Sequence, residues 1–403
     1  MKVHKIILIV CLLLSCSLLF GCSDNKANEK KPNKGEQLDQ EEQSDQSGKG
    51  DQKVVTITAD QLAQSETSEK NNSTKEWLKN DAYNDFALTG DANPYYMGRW
   101  FKKEIDGVSH MVTLNDGSVI YFAVKDATSV KLDFTMITST EVPYFAYSID
   151  GSTPVRQKVN NGVVNIPDKG YHIIRVITDG LTESVGKWDK ECGFALKGIS
   201  VSGGKMIGIK PTDKTIFFYG DSITEGIAAI GKKNTCDYNS ATNAYSWKCA
   251  EKLRAVPYII GYGGTGILNT GSFNTMENAM EYYSKNRPVN DGIIPDLIVI
   301  NHGHNDGGLS EETFRVALVN TMQKLMKKYP NVPVVYVVPF NQSRANIITE
   351  VIPTLGNNFH VVSTAGWNIP TNDGAHPTAR GANVAAIRLA TELKKIFGES
   401  FFN

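Results

Sequence analysis

Hydrophobic and polar positions divide the chain into stretches of different period. Residues 23–75 consist largely of Lys, Glu, Asp, Gln, Asn, Ser and Gly with almost no aromatic side chains. Such a segment cannot bury enough surface to offset the entropy of ordering it, and it reads as a solvated stalk. Residues 54–58 alternate weakly and could add one short edge strand, although the composition favours the stalk. From 76 to about 205, short apolar segments at 118–124, 130–135, 143–149, 171–178 and 193–201 recur. Between them stand Asn115-Asp116-Gly117, Asp150-Gly151-Ser152 and Asp179-Gly180, combinations that favour tight turns. Strands at this spacing with no convincing helix predict an all-β sandwich or jelly roll.

The period changes from residue 206 onward. Apolar runs at 215–220, 257–261, 296–301, 332–339 and 359–363 alternate with helical periodicity at 244–254, 276–284, 311–328 and 378–396. Phe314, Leu318, Met322 and Leu325 share one face of the third of these helices, which reads as core packing against a sheet. Strand–helix alternation predicts an α/β fold with a doubly wound, flavodoxin-like parallel sheet of five strands over 206–403.

The first residues add an address. Lys2, His4 and Lys5 precede an apolar run over 6–20, a charged segment followed by a hydrophobic one too short to span a membrane comfortably. Leu19-Phe20-Gly21-Cys22 resembles the bacterial lipobox. That resemblance implies a signal peptide over 1–22, lipidation of Cys22, and a protein tethered to the membrane in the bacterial cell envelope, facing away from the cytoplasm. A formal net charge of −1 over 403 residues gives no indication of nucleic acid as a partner. Of the cysteines, Cys192, Cys236 and Cys249 lie in the folded part. Cys236 and Cys249 could bridge in an oxidising compartment or serve as small buried hydrophobes, and none has zinc-site spacing.

Candidate chemistry gathers at the ends of the predicted parallel strands. Gly220-Asp221-Ser222 follows the strand at 215–220, where Ser222 would stand at the carboxyl edge of the sheet. The position suits a nucleophile beside backbone donors, and equally suits Asp221 or Ser222 as a helix N-cap. Gly261-Tyr262-Gly263-Gly264-Thr265-Gly266 permits close backbone approach to a ligand, but no Lys follows at nucleotide-binding spacing. Asn301-His302-Gly303-His304-Asn305-Asp306 would put His302 and His304 on one face of an extended strand, as metal ligands stand. Only Asp306 could support them, whereas Asn305 offers a neutral donor to a developing oxyanion. Asp373-Gly374-Ala375-His376-Pro377 can bring carboxylate and imidazole together, one ring nitrogen held and the other facing a hydroxyl.

In content and order, Gly220-Asp221-Ser222, Gly264, Gly303-His304-Asn305-Asp306 and Asp373-Gly374-Ala375-His376-Pro377 resemble the motif blocks of the SGNH (GDSL-like) hydrolases. Gly263 fits the second block as well as Gly264 does. Gly98-Arg99-Trp100 and Tyr147-Ser148-Ile149-Asp150-Gly151 ahead of them look like the two-domain plan of carbohydrate esterase family two, a jelly roll at 76–205 followed by the hydrolase domain. The resemblance implies a serine esterase needing no cofactor and no metal. Ser222 would be nucleophile, His376 general base and Asp373 its orienting carboxylate, with Ser222, Gly264 and Asn305 forming the oxyanion hole. It also implies an acetylated carbohydrate as substrate. Trp367 and Tyr262, close to these blocks in sequence, could stack on a sugar or be buried packing residues.

Overall fold

The computed structural model describes residues 76–79, 84–137, 141–183, 186–271 and 274–403. The signal segment with Cys22 and the stretch at 23–75 lie outside the described residues.

Two antiparallel sheets form the first half. A six-stranded sheet runs Lys205–Ile207, Val119–Lys125, Tyr171–Gly180, Tyr144–Ile149, Val155–Lys158, with Tyr95–Met97 also paired to Val119–Lys125. A five-stranded sheet runs Trp100–Ile105, Val108–Thr113, Phe194–Ser202, Ser129–Met136, Val163–Asn165. Side chains alternate between the faces of a strand, and both faces of Val119–Lys125 are used. Ile120, Phe122 and Val124 join Ile174, Val176, Phe194 and Leu196 between the sheets. Val119, Tyr121 and Ala123 point the other way, into a cluster shared with Phe217, Tyr219, Tyr258 and Ile259. That double burial explains why 118–124 is a continuous apolar run where a one-sided strand would alternate.

The second half is a parallel sheet ordered β2-β1-β3-β4-β5, where β1 is Thr215–Gly220, β2 Val256–Gly261, β3 Leu297–Asn301, β4 Val334–Val337 and β5 Phe359–Val362. Helices Ser222–Glu225 (α1), Tyr245–Lys252 (α2), Met276–Glu281 (α3), Glu311–Lys328 (α4), Ala345–Val351 (α5) and Ala379–Phe397 (α6) connect and cover it. Within β1, Ile216 and Phe218 pack towards α2 and α6 with Tyr245, Ala250 and Leu389, while Phe217 and Tyr219 enter the cluster shared with the sandwich. Phe314, Leu318, Met322 and Leu325 of α4 are fully buried, as their spacing requires. This is the doubly wound, flavodoxin-like arrangement behind a β-sandwich.

Two expectations change and one open alternative is decided. The helix expected over 276–284 ends at Glu281, and Tyr282–Ser284 becomes a strand paired with Arg287–Pro288. Tertiary contacts override the helical periodicity there: Tyr283 stacks on Phe101 with ring centroids 5.6 Å apart, and the buried Arg99 guanidinium donates to the Tyr282 carbonyl. Cys236 and Cys249 do not bridge, because both are buried free thiols, as Cys192 is a partly buried one. His302 and His304 do not share a strand face, because β3 ends at Asn301 and Gly303 turns the chain at φ 115°.

Candidate active site

Gly220 ends β1 where a side chain could not fit: a Cβ there would meet Thr224 Oγ1 at 1.9 Å and the Asn301 carbonyl oxygen at 3.2 Å. The chain turns straight into α1, capped by Asp221, whose Oδ1 accepts the Ile223 N–H at 2.9 Å. Capping and presentation of Ser222 therefore coexist, since the side chain that caps is that of Asp221.

Ser222 Oγ lies 2.9 Å from His376 Nε2, across a sequence separation of 154 residues. His376 Nδ1 lies 2.7 Å from Asp373 Oδ2. Asp373 Oδ1 also accepts the backbone N–H groups of His376 at 2.8 Å and Ala375 at 3.1 Å. Burial works to raise the Asp373 carboxyl, but those N–H groups and the imidazole outweigh it and hold the group below its ordinary range. An ionised carboxylate accepts only, so Nδ1 carries the proton it donates to Asp373 and Nε2 is left to accept from the Ser222 hydroxyl.

The loop after β2 supplies backbone donors. Among the described residues the Ser222 and Gly264 N–H groups meet no acceptor. The Gly263 N–H instead helps to stabilise the Glu183 carboxylate, which distinguishes the two glycines. Gly264 adopts φ +70°, a backbone conformation that L side chains rarely take. Asp306 fixes this loop by accepting Ile267 N–H at 2.8 Å and the N–H groups of Leu268 and Asn269 at 3.0 Å each. Such backbone anchoring is not visible in sequence spacing. Asn305 reaches the same place, but Nδ2 donates to both Asp221 Oδ2 and the Thr265 carbonyl at 3.0 Å, so both of its N–H groups are engaged.

His302 and His304 take no part in the relay. His302 is buried and pushed down to about 4 by desolvation, partly offset by Asp306. His304 is also lowered by burial, with the His376 ring acting in the same direction. No group of three His, Cys, Asp or Glu side chains among the described residues is placed to hold a metal ion. Asp221 is fully buried, and desolvation, reinforced by Asp306, pushes its carboxyl up to about 7.

A cavity of about 320 Å³ opens beside this constellation, lined by Ile223, His304, Asn341, Gln342, Trp367 and Ala375 among others. Trp367 forms part of its wall at 8% exposure, stacked on Phe340 with centroids 6.1 Å apart. Tyr262 is 1% exposed and takes no part in the cavity: its hydroxyl donates to Asn115 Oδ1 at 3.1 Å and the Tyr283 carbonyl at 2.9 Å. Of the two aromatics considered as sugar platforms, Tyr262 is a core residue.

Residues 218–392 match the model of the GDSL-like lipase/acylhydrolase family. Among solved structures, a family two carbohydrate esterase from Clostridium thermocellum in complex with cellohexaose is 21% identical, with TM-score 0.63, over 76% of this chain and 100% of that one. An acetyl xylan esterase from the rumen bacterium Butyrivibrio proteoclasticus is 17% identical, with TM-score 0.65, over 78% of this chain and 100% of that one. A salicylyl-acyltransferase from a tetracycline biosynthetic pathway is 13% identical, with TM-score 0.55, over 78% and 98% of the respective chains. Identities of this order establish a shared fold. No curated protein matches the sequence. Residues 218–392 thus resemble the GDSL-like lipase/acylhydrolase family, and the chain shares with the family two carbohydrate esterases the fold of an antiparallel β-sandwich followed by an SGNH-type parallel sheet.

Proposed function

We propose that the protein is a serine esterase that removes O-acetyl groups from a carbohydrate. The observation that carries this reading is the continuous relay from Asp373 through His376 to Ser222, with bonds of 2.7 and 2.9 Å. In it, His376 Nε2 takes the Ser222 proton as Oγ attacks the ester carbonyl. The Asp373 carboxylate balances the imidazolium, and the Ser222 and Gly264 N–H groups stabilise the oxyanion. Asn305 adds a third donor by exchanging its bond to the Thr265 carbonyl for one to the oxyanion. Collapse of the tetrahedral intermediate breaks the bond to the sugar oxygen, which takes the proton from His376 and leaves as the hydroxyl, and an acetyl group remains on Ser222. Water, deprotonated by the same nitrogen, then releases acetate.

The cavity supports a sugar over a lipid chain. Asn341, Gln342, Thr364, Asn368 and Thr371 contribute to its lining. An alkyl chain placed there would desolvate Asn341, Asn368 and Thr371 without offering them hydrogen bonds, whereas sugar hydroxyls can bond them; Gln342 and Thr364 already bond each other. The carbohydrate and xylan esterases among the structural neighbours support the same reading. Lipidation at Cys22 would place the enzyme on the outer side of the cytoplasmic membrane, with access to an envelope glycan or an external polysaccharide.

Acetate release from acetylated xylan, glucomannan and peptidoglycan, with Ser222→Ala as control, tests the proposal. Release from at least one glycan that disappears in Ser222→Ala is expected. No release from any of them by folded protein, with best turnover on long-chain nitrophenyl esters, would sink the acetyl assignment in favour of a lipid or thioester hydrolase. Glycan retention on a column with hydrolysis unchanged in Ser222→Ala would instead indicate a binding protein.

A further inference from the structure

Between the sandwich and the parallel sheet lies a set of charged side chains that the relay does not use. Lys187, in the short helix Lys187–Lys190 of the first half, has its side chain 1% exposed and bonds both Glu183, at 2.9 Å, and Glu225. Glu225 is the last residue of α1, the helix that Ser222 begins, and its side chain is also 1% exposed. Glu183 reaches the other side of the site: a Cβ on Gly263 would stand 2.6 Å from its Cγ, and the Gly263 N–H helps to stabilise its carboxylate. The residue after Gly263 is the backbone donor Gly264.

A second strut runs in parallel. Asn115 Nδ2 donates to the Gly261 carbonyl at 2.9 Å, at the end of β2, and its Oδ1 accepts the Tyr262 hydroxyl. Gly261 in turn packs so closely on α1 that a Cβ there would meet Glu225 Cβ at 2.8 Å. Sandwich residues thus hold the helix that carries Ser222 and the loop that carries Gly264, each through a buried polar contact.

We propose that Lys187 is a positioning residue: its ammonium, shared between Glu225 and Glu183, sets the distance between the Ser222 turn and the Gly264 loop. This rests on the esterase reading of Ser222. The physical basis is charge compensation in a dry site. Asp116, Glu183 and Glu225 all contribute to the field at Lys187, and Asp116 Oδ1, Glu183 Oε2 and Glu225 Oε2 are buried with no hydrogen-bond partner. Burial and the Glu183 charge already push the Glu225 carboxyl well above its ordinary value. Without the cation, Glu225 and Glu183 lose the donor that joins them, and α1 is released to move relative to the loop. A shift of about 1 Å at reacting atoms costs on the order of a hundredfold in rate.

The test uses the whole chain and p-nitrophenyl acetate, an ester too small to depend on glycan contacts made by the sandwich. Lys187→Met is expected to lower kcat at least tenfold while KM stays within about twofold, which loss of substrate binding would not produce. Lys187→Met/Glu225→Gln, which removes the cation together with one of its two acceptors, is expected to recover part of that loss. A folded Lys187→Met with the kcat of the unaltered protein, or a double variant whose losses simply multiply, would overturn the inference. Should Lys187→Met show no cooperative melt, Glu183→Gln replaces it, keeping shape while removing the charge that Lys187 and Gly263 share. The same split is expected, and kcat unchanged in folded Glu183→Gln overturns the inference. Ser222→Ala, assayed alongside, separates the two ideas: activity surviving in Ser222→Ala refutes the esterase reading itself, whereas loss only there refutes positioning alone.

Discussion

Asp221 Oδ2 accepts the Asn305 amide at 3.0 Å, joining the turn after β1 to the turn after β3 directly beneath Ser222. The other oxygen of Asp221 caps α1 through Ile223. One buried carboxyl therefore aligns the helix that Ser222 begins and the third donor of the proposed oxyanion hole.

Replacing Asn305 with Ala removes both that brace and the donor. A fall in kcat of roughly a hundredfold is expected, the scale of losing one oxyanion donor, with KM changed little. Steady-state kinetics on p-nitrophenyl acetate measures it, and a change confined to KM would contradict the role.

Asp306 touches no reacting atom in the proposed mechanism, yet it accepts three consecutive backbone N–H groups of the Gly264 loop. Asp306→Ala leaves those donors unpaired and is expected to lower both kcat and melting temperature. Removing a buried acceptor costs about 1–3 kcal/mol or more for a charged one. Loss of activity without any loss of melting temperature would mean that Asp306 acts on substrate instead.

Asp116 gives a dependence on pH. It is fully buried, and desolvation pushes its carboxyl from 3.8 up to about 7, against the opposing pull of Lys187. The native state then keeps a proton that the unfolded chain releases. This contribution to stability is fully present below the unfolded value and is lost as pH rises through about 7. His302 works in the opposite sense: with a folded value near 4 against an ordinary 6.5, it costs stability as pH falls through that interval. Comparison within one background isolates Asp116. Melting temperatures of Asp116→Asn are expected to gain on those of the unaltered protein as pH rises from 5 to 8, and a constant difference would contradict the assignment.

Tyr262→Phe removes a hydroxyl bonded to Asn115 and to the Tyr283 carbonyl while keeping the ring. A destabilisation of about 1–3 kcal/mol is expected from the buried groups left unpaired. Denaturant titration measures it. KM for any acetylated glycan that the enzyme accepts should be unchanged, and a several-fold rise would return Tyr262 to the substrate site.

The relay was legible because its residues sit in short motifs at predicted strand ends, where an open α/β sheet gathers its loops. Ser222, His376 and Asp373 are brought together as those motifs imply. The hairpin of Trp100–Ile105 and Val108–Thr113 was not anticipated, because Lys102, Lys103 and Glu104 interrupt its apolar pattern on a partly exposed strand. The helix expected through Tyr282–Ser284 failed for a complementary reason: its last turn is claimed by Phe101 and Arg99, far away in sequence. Lys187 marks a deeper limit. Its significance lies in which acceptors it meets, and no spacing along the chain carries that information.

Because Val119–Lys125 is buried on both faces, the two halves cannot be exchanged as cassettes. A fragment starting near residue 213 would uncover Ile259, packed against Gly117, and Trp247, beneath the Arg175 guanidinium, a sticky surface with its own tendency to aggregate. Any transplant of the parallel-sheet half onto another scaffold must therefore carry the neighbouring sheet with it, and the proposed specificity is better altered in the loops around the cavity than by shuffling modules.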